Sequence, residues 1–308
     1  MDTELTEDKG NLSDVVKDIC YNIDGMIMPK SSPARYLLDI KHHFEVRPDD
    51  IFLITYPKSG TTWMQHIVSL IMANGDVTTV NEKHVFQRAQ FLEMSQTADI
   101  ERGIYEIAAK MASPRFLKTH LPSRFCPTQL VDKKPKIIYV ARNPKDAAVS
   151  YYHFHSFSTW SLPSYPTWDQ FFEDFYHGNT PRGCWFENVL YWWNMRHEDN
   201  VLFITYEEMK MDIRSCVMRV CTFLGKEFHD DVIDDIIKHS SFKAMKKNPA
   251  SNPDSLEIFK SSVSQKKSFF RKGEVGDWKT YFTVDQNERF DELYKKKTMG
   301  SGLQLVFE

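Results

Sequence analysis

The chain has 308 residues, which is long enough to bury a large core and allows one or two domains. Its net charge of −3, with acidic and basic residues mixed, argues against a general nucleic-acid or membrane-surface binder. The five cysteines are odd in number and form no C-x-x-C pair, so the sequence suggests neither a disulfide framework nor a zinc site. No apolar run approaches the ~20 residues that span a bilayer, and a cytoplasmic location is expected.

The chain shows no internal division. No linker rich in Pro, Gly or Ser, no low-complexity tract and no internal repeat interrupts it. A single domain over residues 1–308 is therefore expected. The N-terminal segment is acidic and polar, and residues 1–15 are predicted to form a flexible tail.

Four short runs rich in Ile, Val, Phe, Leu and Tyr predict buried strands. In chain order they are residues 51–56, 115–118, 136–142 and 201–206. Helical spacing of apolar residues predicts helices over residues 146–154, 185–196, 213–224 and 231–239. Asn143-Pro144 is a plausible start for the first helix, and Gly225 is a plausible stop for the third. The alternation predicts an α/β fold with a central, mainly parallel sheet flanked by helices.

The segment of residues 52–63, FLITYPKSGTTW, joins the first predicted strand to a polar turn and then to a helical pattern. Small residues at Ser59 and Gly60 let the backbone approach an anion, and the first N–H groups of the following helix point toward it. Lys58 adds a positive charge, and the hydroxyls of Thr61 and Thr62 add donors. The segment therefore predicts a P-loop-like strand-loop-helix site for a phosphate or a group of similar shape.

A P-loop kinase or NTPase is one alternative for this loop. That class has the pattern G-x-x-x-x-G-K-[ST], with the lysine after the second glycine and a hydroxyl on magnesium. Here Lys58 precedes Gly60, and the first glycine of the pattern is missing. No set of Asp and Glu at the predicted strand ends indicates a magnesium site, so no metal is expected.

Ligands of parallel α/β sheets bind beyond the carboxyl ends of the strands. In this chain polar or cationic residues lie at the carboxyl ends of all four predicted strands, at Pro57-Lys58, Thr119-His120, Arg142-Asn143 and Tyr206. These residues are therefore the first candidates for a binding or catalytic site.

Six segments, taken together and in this order, resemble the cytosolic sulfotransferases over nearly the whole chain. They are YPKSGTTW (56–63), KTHLP (118–122), RNPKDAAVSYYHF (142–154), ITYEEM (204–209), SSFKAMKKNP (240–249) and FFRKGEVGDWK (269–279). The resemblance implies transfer of a sulfuryl group from 3′-phosphoadenosine 5′-phosphosulfate (PAPS) to a hydroxyl or amine of a small lipophilic acceptor. The nucleotide product is adenosine 3′,5′-bisphosphate. An adenosine with anions at both ends needs two cationic sites and an aromatic slot, and the chain offers candidates for all three.

The resemblance assigns residues to each part of the donor. Those matching the 5′-phosphosulfate loop are Lys58, Ser59, Gly60, Thr61 and Thr62. Those matching the 3′-phosphate site are Arg142, Ser150, Arg271, Lys272 and Gly273, and Phe270 is assigned to the donor site as a whole. Those matching the adenine site are Trp63, Tyr206, Ser240 and Phe242.

His120 matches the general base of the family, which takes the acceptor proton as the oxygen attacks sulfur. Lys58 would neutralise charge that develops on the bridging oxygen, and Lys118 would hold the transferring sulfuryl oxygens. Ser150 completes the set of catalytic candidates. Catalysis without a metal is expected, because the sulfuryl group carries only one negative charge.

The acceptor site and a dimer element are assigned by family position. Acceptor candidates, besides Lys118 and His120, are Phe86, Phe91 and Tyr152. Residues 154–166 are predicted to form a mobile apolar wall that includes Phe154, Phe157, Trp160, Leu162 and Tyr165. A homodimer is expected through Lys279, Thr283, Val284 and Glu288, which match the short dimerisation element of the family.

Two further alternatives stay open at the level of sequence. The protein could bind PAPS or a lipophilic ligand without turnover, although Lys58, Lys118, His120 and Ser150 are all present. A sulfotransferase could also act on an allylic or benzylic alcohol whose sulfate ester then eliminates. The sequence does not distinguish a phenol, a steroid-like alcohol, another alcohol or an amine as acceptor, because an apolar pocket discriminates by shape.

Overall fold

The computed structural model describes residues 13–94, 104–158 and 162–308. Its strands are β1 (Cys20–Ile23), β2 (Met26–Pro29), β3 (Ile51–Thr55), β4 (Gln90–Phe91), β5 (Phe116–Thr119), β6 (Lys136–Ala141) and β7 (Val201–Thr205). Its helices are α1 (Ala34–His43), α2 (Thr61–Met72), α3 (Val77–Asn81), α4 (Val85–Arg88), α5 (Ile104–Ala109), α6 (Leu130–Lys133), α7 (Pro144–Phe157), α8 (Trp168–His177), α9 (Trp185–Asn194), α10 (Tyr206–Met211), α11 (Ile213–Phe223), α12 (Asp230–Ser240), α13 (Phe242–Lys247), α14 (Lys260–Ser264) and α15 (Val284–Thr298).

Strands β3 to β7 form a five-stranded parallel sheet in the order β4-β5-β3-β6-β7. The predicted α/β fold with a parallel sheet is therefore confirmed. The four predicted strands are β3, β5, β6 and β7, with ends that differ by one residue from the predicted bounds. Strand β7 stops at Thr205 because this residue caps α10, accepting a hydrogen bond from the N–H of Glu208.

Side chains alternate between the two faces of the sheet. On β3, Phe52 and Ile54 pack into one hydrophobic cluster with residues of α1, α8 and α9, whereas Leu53 packs into a second cluster with α2, α11 and α12. On β6, Tyr139 packs into the first cluster and Ile138 packs into the second. The central strands are thus buried on both faces, which explains why their sequences are continuously apolar.

The four predicted helices correspond to α7, α9, α11 and α12. Helix α7 begins as predicted at Pro144, with the Asn143 side chain accepting a hydrogen bond from the N–H of Asp146. Helix α11 ends at Phe223, and Gly225 follows it with a φ of +68°. The sequence did not predict the β1–β2 hairpin or the edge strand β4, because these strands are too short to show a clear period.

Most of the predicted N-terminal tail lies outside the described residues, since the description begins at residue 13. Ser13 itself donates a hydrogen bond to the carboxylate of Asp174 at 2.7 Å. Within the described ranges, no helix is both long enough and apolar enough to cross a membrane.

A buried ion pair joins the starts of β3 and β5. The guanidinium of Arg115 donates to both carboxylate oxygens of Asp50 at 2.7 and 2.6 Å, and both side chains are fully buried. Removing one partner leaves an uncompensated charge in the interior. We expect Asp50→Ala to lower the free energy of unfolding by about 3–5 kcal/mol in urea denaturation.

The exposed pair between Lys134 and Glu198 provides the matched control for this measurement. Because both side chains face solvent, Glu198→Ala should change the free energy of unfolding by no more than about 1 kcal/mol. Equal effects of the two substitutions would show that the buried pair contributes no more than a surface pair does.

Candidate active site

A cavity of about 730 Å³ opens at the carboxyl end of the parallel sheet. Residues that directly follow β3, β5, β6 and β7 meet there, as expected for this fold class. The predicted site residues that line it are Lys58, Gly60, Thr61, Thr62, Trp63, Phe86, Phe91, Lys118, His120, Arg142, Ser150, Tyr206, Ser240, Phe242, Phe270, Arg271, Lys272 and Gly273. The structure thus brings together segments that are more than two hundred residues apart in the chain.

The loop after β3 turns sharply into α2. Lys58 and Gly60 have positive φ angles of +67° and +104°. A Cβ atom on Gly60 would lie 2.9 Å from a ring carbon of Tyr206, so a larger residue does not fit at this position. The buried hydroxyl of Ser59 has no hydrogen-bond partner among the described residues. The loop therefore combines close backbone approach with an unused donor, the combination that an anion requires.

The ammonium group of Lys58 lies between two aromatic rings. Its Nζ is 4.2 Å from the ring centroid of Phe154 and 4.0 Å from that of Phe269. Burial is the main reason that the Lys58 pKa is lowered to about 7, and the nearby charges of Arg142 and Arg271 contribute in the same direction. A bound anion would reverse this effect, because it favours the charged form.

A second cationic region lies beside the loop, where the Arg142 guanidinium donates to the carbonyl of Lys58 at 3.3 Å. The guanidinium of Arg142 lies 4.3 Å from the ring centroid of Tyr206 and donates to the carbonyl of Glu274 at 2.9 Å. Its buried Nε has no hydrogen-bond partner in the described part of the chain. Arg142 therefore retains a donor for a ligand.

Arg271 and Lys272 belong to the same region. Both pair with Asp277, and the Arg271 contact measures 2.5 Å. The next residue, Gly273, has a φ of +71°, and a Cβ atom there would lie 2.7 Å from a ring carbon of Phe242. Glycine is thus required where the backbone passes an aromatic side chain at the cavity wall.

Asp146 holds this region against α7. Its carboxylate accepts hydrogen bonds from the backbone N–H groups of Gly276 and Trp278 at 2.8 and 3.0 Å. Two segments that are remote in sequence, around residues 142–146 and 271–278, therefore form one rigid unit. This contact positions Arg142 and Arg271 in the same cavity.

Aromatic side chains line the cavity beside the two cationic regions. Trp63 and Tyr206 pack with their ring centroids 5.6 Å apart, and Phe242 and Phe270 pack at 5.8 Å. The indole Nε1 of Trp63 is buried without a hydrogen-bond partner among the described residues. These rings offer apolar faces, together with one unused donor, to a planar ligand.

His120 follows β5 and has a defined orientation. Its Nδ1 lies 2.8 Å from the carbonyl oxygen of Thr55. Because a carbonyl oxygen only accepts, the neutral ring carries its proton on Nδ1 and presents an unprotonated Nε2. Burial lowers the His120 pKa to about 3, and the hydrogen bond to Thr55 opposes this shift. The ring is therefore neutral near pH 7 and able to accept a proton.

Lys118 lies beside His120 at the end of β5. Its Nζ donates to the side-chain oxygen of Gln65 at 2.8 Å and lies 5.1 and 5.2 Å from the ring centroids of Phe86 and Phe91. Burial lowers its pKa to about 7, whereas the charge of Glu93 raises it. Lys118 can therefore supply a positive charge close to the imidazole.

The acceptor candidates are only partly brought together. Phe86 and Phe91 line the cavity, and the Phe91 ring lies edge-on to His120 with centroids 4.9 Å apart. Among the described residues Tyr152 does not line the cavity, because its ring packs against Trp168 and Phe171 on the other side of α7. The neighbouring Tyr151 lines the cavity instead.

The predicted apolar wall is also divided. Phe154 and Leu162 line the cavity, while Phe157 stacks on Phe259 with centroids 4.5 Å apart. Tyr165 is buried and donates to the carboxylate of Asp174. Trp160 lies outside the described residues, so its predicted place in the wall is not tested.

Several residues that shape the site were not identified from the sequence. Glu93 accepts hydrogen bonds from the backbone N–H of His120 and the hydroxyl of Thr119 at 2.6 and 2.8 Å. Arg182 and Phe269 line the cavity. Thr55, whose carbonyl accepts a hydrogen bond from His120, lies just before the loop, and this position was a signal in the sequence for its place at the site. Phe269 begins the segment 269–279 that carries the family resemblance, whereas Glu93 and Arg182 carry no sequence pattern, because tertiary contacts alone bring them to the site.

The arrangement contains two cationic regions, aromatic surfaces between them, and a neutral imidazole beside a buried lysine. It can hold a ligand with two anionic groups and accept a proton from a second molecule. Within the described ranges, no group of three or more His, Cys, Asp and Glu side chains could hold a metal ion.

Comparison with known proteins gives a consistent result. The sulfotransferase domain model matches residues 48–302. The chain is 44% identical over 263 residues to sulfotransferase 1E1 of Bos taurus, covering 85% of this chain and 87% of that protein. It is 42% identical over 267 residues to human sulfotransferase 1C2, covering 86% of this chain and 88% of that protein.

Solved structures show the same likeness. Mouse sulfotransferase SULT7A1, complexed with PAP, is 35% identical with a TM-score of 0.74, over 92% of this chain and 96% of that one. Retinol dehydratase in a complex with retinol and PAP is 26% identical with a TM-score of 0.83, over 93% and 92% of the two chains. With these matches the family resemblance is confirmed, and the kinase alternative for the loop is replaced: the chain belongs to the sulfotransferase family.

Proposed function

We propose that this protein transfers a sulfuryl group from PAPS to a hydroxyl or amine of a small lipophilic acceptor. The observation that carries the proposal is the single cavity that holds the loop at Lys58, the cationic region at Arg142 and Arg271, and His120 with its free Nε2. Family membership supports the reaction class, and the geometry supports the individual roles.

The residues present fit the donor. The loop from Lys58 to Thr62 would hold the 5′-phosphosulfate, because it has an unused donor and glycine at the point of closest backbone approach. Arg142, Ser150 and the segment 270–273 would hold the 3′-phosphate, where Arg142 has an unused Nε. Trp63, Tyr206, Ser240 and Phe242 would surround the adenine.

His120 would act as the general base. The acceptor oxygen forms a bond to sulfur while the bond between sulfur and the bridging phosphate oxygen breaks, and the acceptor proton passes to Nε2 of His120. Nδ1 keeps its proton and its hydrogen bond to the carbonyl of Thr55 throughout, so the ring keeps its orientation as it becomes charged. Glu93 supports the main chain at this point by accepting from the His120 N–H.

Lys58 and Lys118 would stabilise the charge that moves during transfer. Both have pKa values lowered to about 7 by burial, so each gains most from a nearby anion. Lys58 belongs to the donor loop and would stabilise the leaving oxygen, and Lys118 would stabilise the sulfuryl oxygens beside His120. Transfer without a metal ion remains a prediction, which activity in the presence of a chelator would test.

The quaternary structure and location also remain predictions. In the proposed dimer element, Val284 is 76% exposed at the start of α15, and Thr283 caps that helix. Glu288 is exposed, whereas Lys279 pairs with Glu308 of the same chain. Sedimentation analysis of Val284→Glu against the unchanged protein would test the homodimer. A cytoplasmic location remains a prediction from the cysteine pattern and the lack of a long apolar run in the sequence.

The test of the proposed function begins with calorimetric binding of adenosine 3′,5′-bisphosphate, compared with ATP in the presence and absence of magnesium. Tight binding of the bisphosphate without metal is expected, followed by transfer from labelled PAPS to an acceptor panel. Binding without any turnover would support a carrier instead of an enzyme. Product analysis would separate a stable sulfate ester from an eliminated alkene.

The 3′-phosphate site gives a separate prediction. We expect Arg271→Ala to weaken PAPS binding by about 10-fold to 100-fold, since a hydrogen bond to a charged group is worth about 1.5–3 kcal/mol. An analogue that lacks the 3′-phosphate should lose much less affinity. Calorimetry on both ligands measures the difference, and equal losses would contradict the assignment of Arg271.

A further inference from the structure

The loop of residues 178–184, between α8 and α9, places a buried cation in the wall of the cavity. Arg182 lines the cavity and is only 7% exposed. Its guanidinium donates to the thioether sulfur of Met28 at 3.3 Å, which is a weak acceptor. In the described part of the chain it forms no salt bridge and no other side-chain hydrogen bond. A buried arginine normally has a carboxylate or several carbonyl groups as partners.

The surrounding structure holds this arginine in a fixed and unfavourable conformation. Arg182 has a φ of +75°, a region that costs a non-glycine residue energy unless the neighbouring contacts enforce it. Its N–H donates to the carbonyl of Ile27 at 2.8 Å. The hydroxyl groups of Tyr56 and Tyr151, both buried, donate to the carbonyls of Gly183 and Pro181 at 3.2 and 2.9 Å. Three anchors therefore fix the backbone on both sides of Arg182.

The charges around the guanidinium leave an excess of positive charge at this end of the cavity. Glu93 is the nearby acid, and the charge of Arg182 opposes the rise in its pKa that burial causes. However, both carboxylate oxygens of Glu93 already accept hydrogen bonds, from Thr119 and from the N–H of His120. Lys118 adds a second cation, and His120 is neutral. Glu93 therefore offsets only one of the two positive charges, and Arg182 has no hydrogen-bonded counter-ion among the described residues.

Arg182 lies at the acceptor end of the cavity, not at the donor end. Pro29, Ser31 and Phe91 line the same cavity, and Met28 belongs to the hairpin strand β2 that touches the arginine. The Arg182 charge also acts on His120, whose pKa it lowers. The regions proposed for the donor lie around Lys58, Arg142 and Arg271. A ligand group that meets Arg182 would thus belong to the acceptor.

From this placement we propose that Arg182 selects acceptors that carry a carboxylate in addition to the reacting hydroxyl, and that the two groups are separated by an apolar body. The inference rests on the proposed function of the cavity and narrows its substrate class. The apolar body would contact Phe86 and Phe91, the hydroxyl would reach Nε2 of His120, and the carboxylate would pair with the planar guanidinium. An anion there would also complete the pairing of a buried charge.

The experiment compares hydroxyaryl alkanoic acids of increasing chain length with their methyl esters. Calorimetry measures the affinity of each for the full-length protein saturated with adenosine 3′,5′-bisphosphate, near neutral pH. At the best chain length, the acid should bind at least about tenfold more tightly than its ester. Arg182→Gln should remove this preference, and Arg182→Lys should retain part of it. Arg214→Gln, which removes an exposed arginine outside the cavity, should leave the preference unchanged.

Two outcomes would overturn the inference. One is that the protein without substitutions binds the esters as tightly as the acids at every chain length. The other is an Arg182→Gln variant that keeps the preference for the acid. Bisphosphate affinity and thermal unfolding of each variant show whether the donor site and the fold are intact. Because affinity is measured without turnover, a failure of sulfuryl transfer is recorded separately with labelled PAPS and does not affect the result.

Discussion

His120→Ala is expected to lower the rate of sulfuryl transfer by about 10²-fold to 10⁴-fold, the usual contribution of a positioned general base. The physical reason is that the neutral ring presents Nε2 to the cavity while Nδ1 is held by Thr55. Affinity for adenosine 3′,5′-bisphosphate should change little, because the proposed donor contacts come from other residues. Single-turnover kinetics with labelled PAPS, together with calorimetry, separate the two effects.

The pH profile gives a second check on His120. Its pKa is lowered to about 3, so the free enzyme keeps the unprotonated form as the pH falls through the ordinary histidine range. Base function is lost only as the pH approaches the lowered value. The acidic limb of kcat/KM should therefore lie well below pH 6.5, and a limb at about 6.5 would contradict the assigned environment.

His177→Ala provides the matched control for His120→Ala. His177 lies at the exposed end of α8, where its Nδ1 donates to the carbonyl of Glu173 and does not face the cavity. Its replacement should leave transfer unchanged. A His120→Ala variant that retained most of its turnover would remove His120 from the role of base.

The second large effect is expected at Lys58. Lys58→Met keeps an apolar stem between Phe154 and Phe269 and removes the charge. The transfer rate should fall by about 10²-fold to 10³-fold, the cost of losing one group that stabilises developing charge in a transition state. Rapid-quench measurements of single turnovers would show the loss in the chemical step.

Proton uptake on binding tests the same lysine without catalysis. The Lys58 pKa is lowered to about 7 in the free protein, and a bound anion raises it. At about pH 8 the free lysine is mostly neutral, so binding of the bisphosphate should take up protons. Below the free pKa the lysine is already charged, and the uptake should disappear.

Calorimetry in buffers of different ionisation enthalpy measures this uptake. Lys58→Met should remove most of it, whereas Lys226→Met, on the surface beside Asn74, should not. Equal uptake by the Lys58→Met variant and the unchanged protein would show that another group takes up the proton.

The sequence alone determined the fold class and the donor loop, because both depend on neighbouring residues. Continuous apolar runs predicted β3, β5, β6 and β7, because a parallel strand buried on both faces needs no alternation of apolar and polar residues. The loop from Lys58 to Thr62 is contiguous, so its backbone conformation and its donors appear together in one motif. Edge strand β4 is two residues long and offered no period to detect.

The tertiary structure alone decided how the site works. The protonation of His120 depends on the carbonyl of Thr55, and its main chain depends on Glu93, at a distance of 27 residues in sequence. Tyr152 was assigned to the acceptor from its position, but the helical rotation of α7 turns Tyr151 toward the cavity. Arg182 lines the cavity on a loop that hydrogen bonds from Tyr56 and Tyr151 fix in place. Hydrogen bonds and charge pairing between remote segments determine these features, and local sequence patterns do not record such contacts.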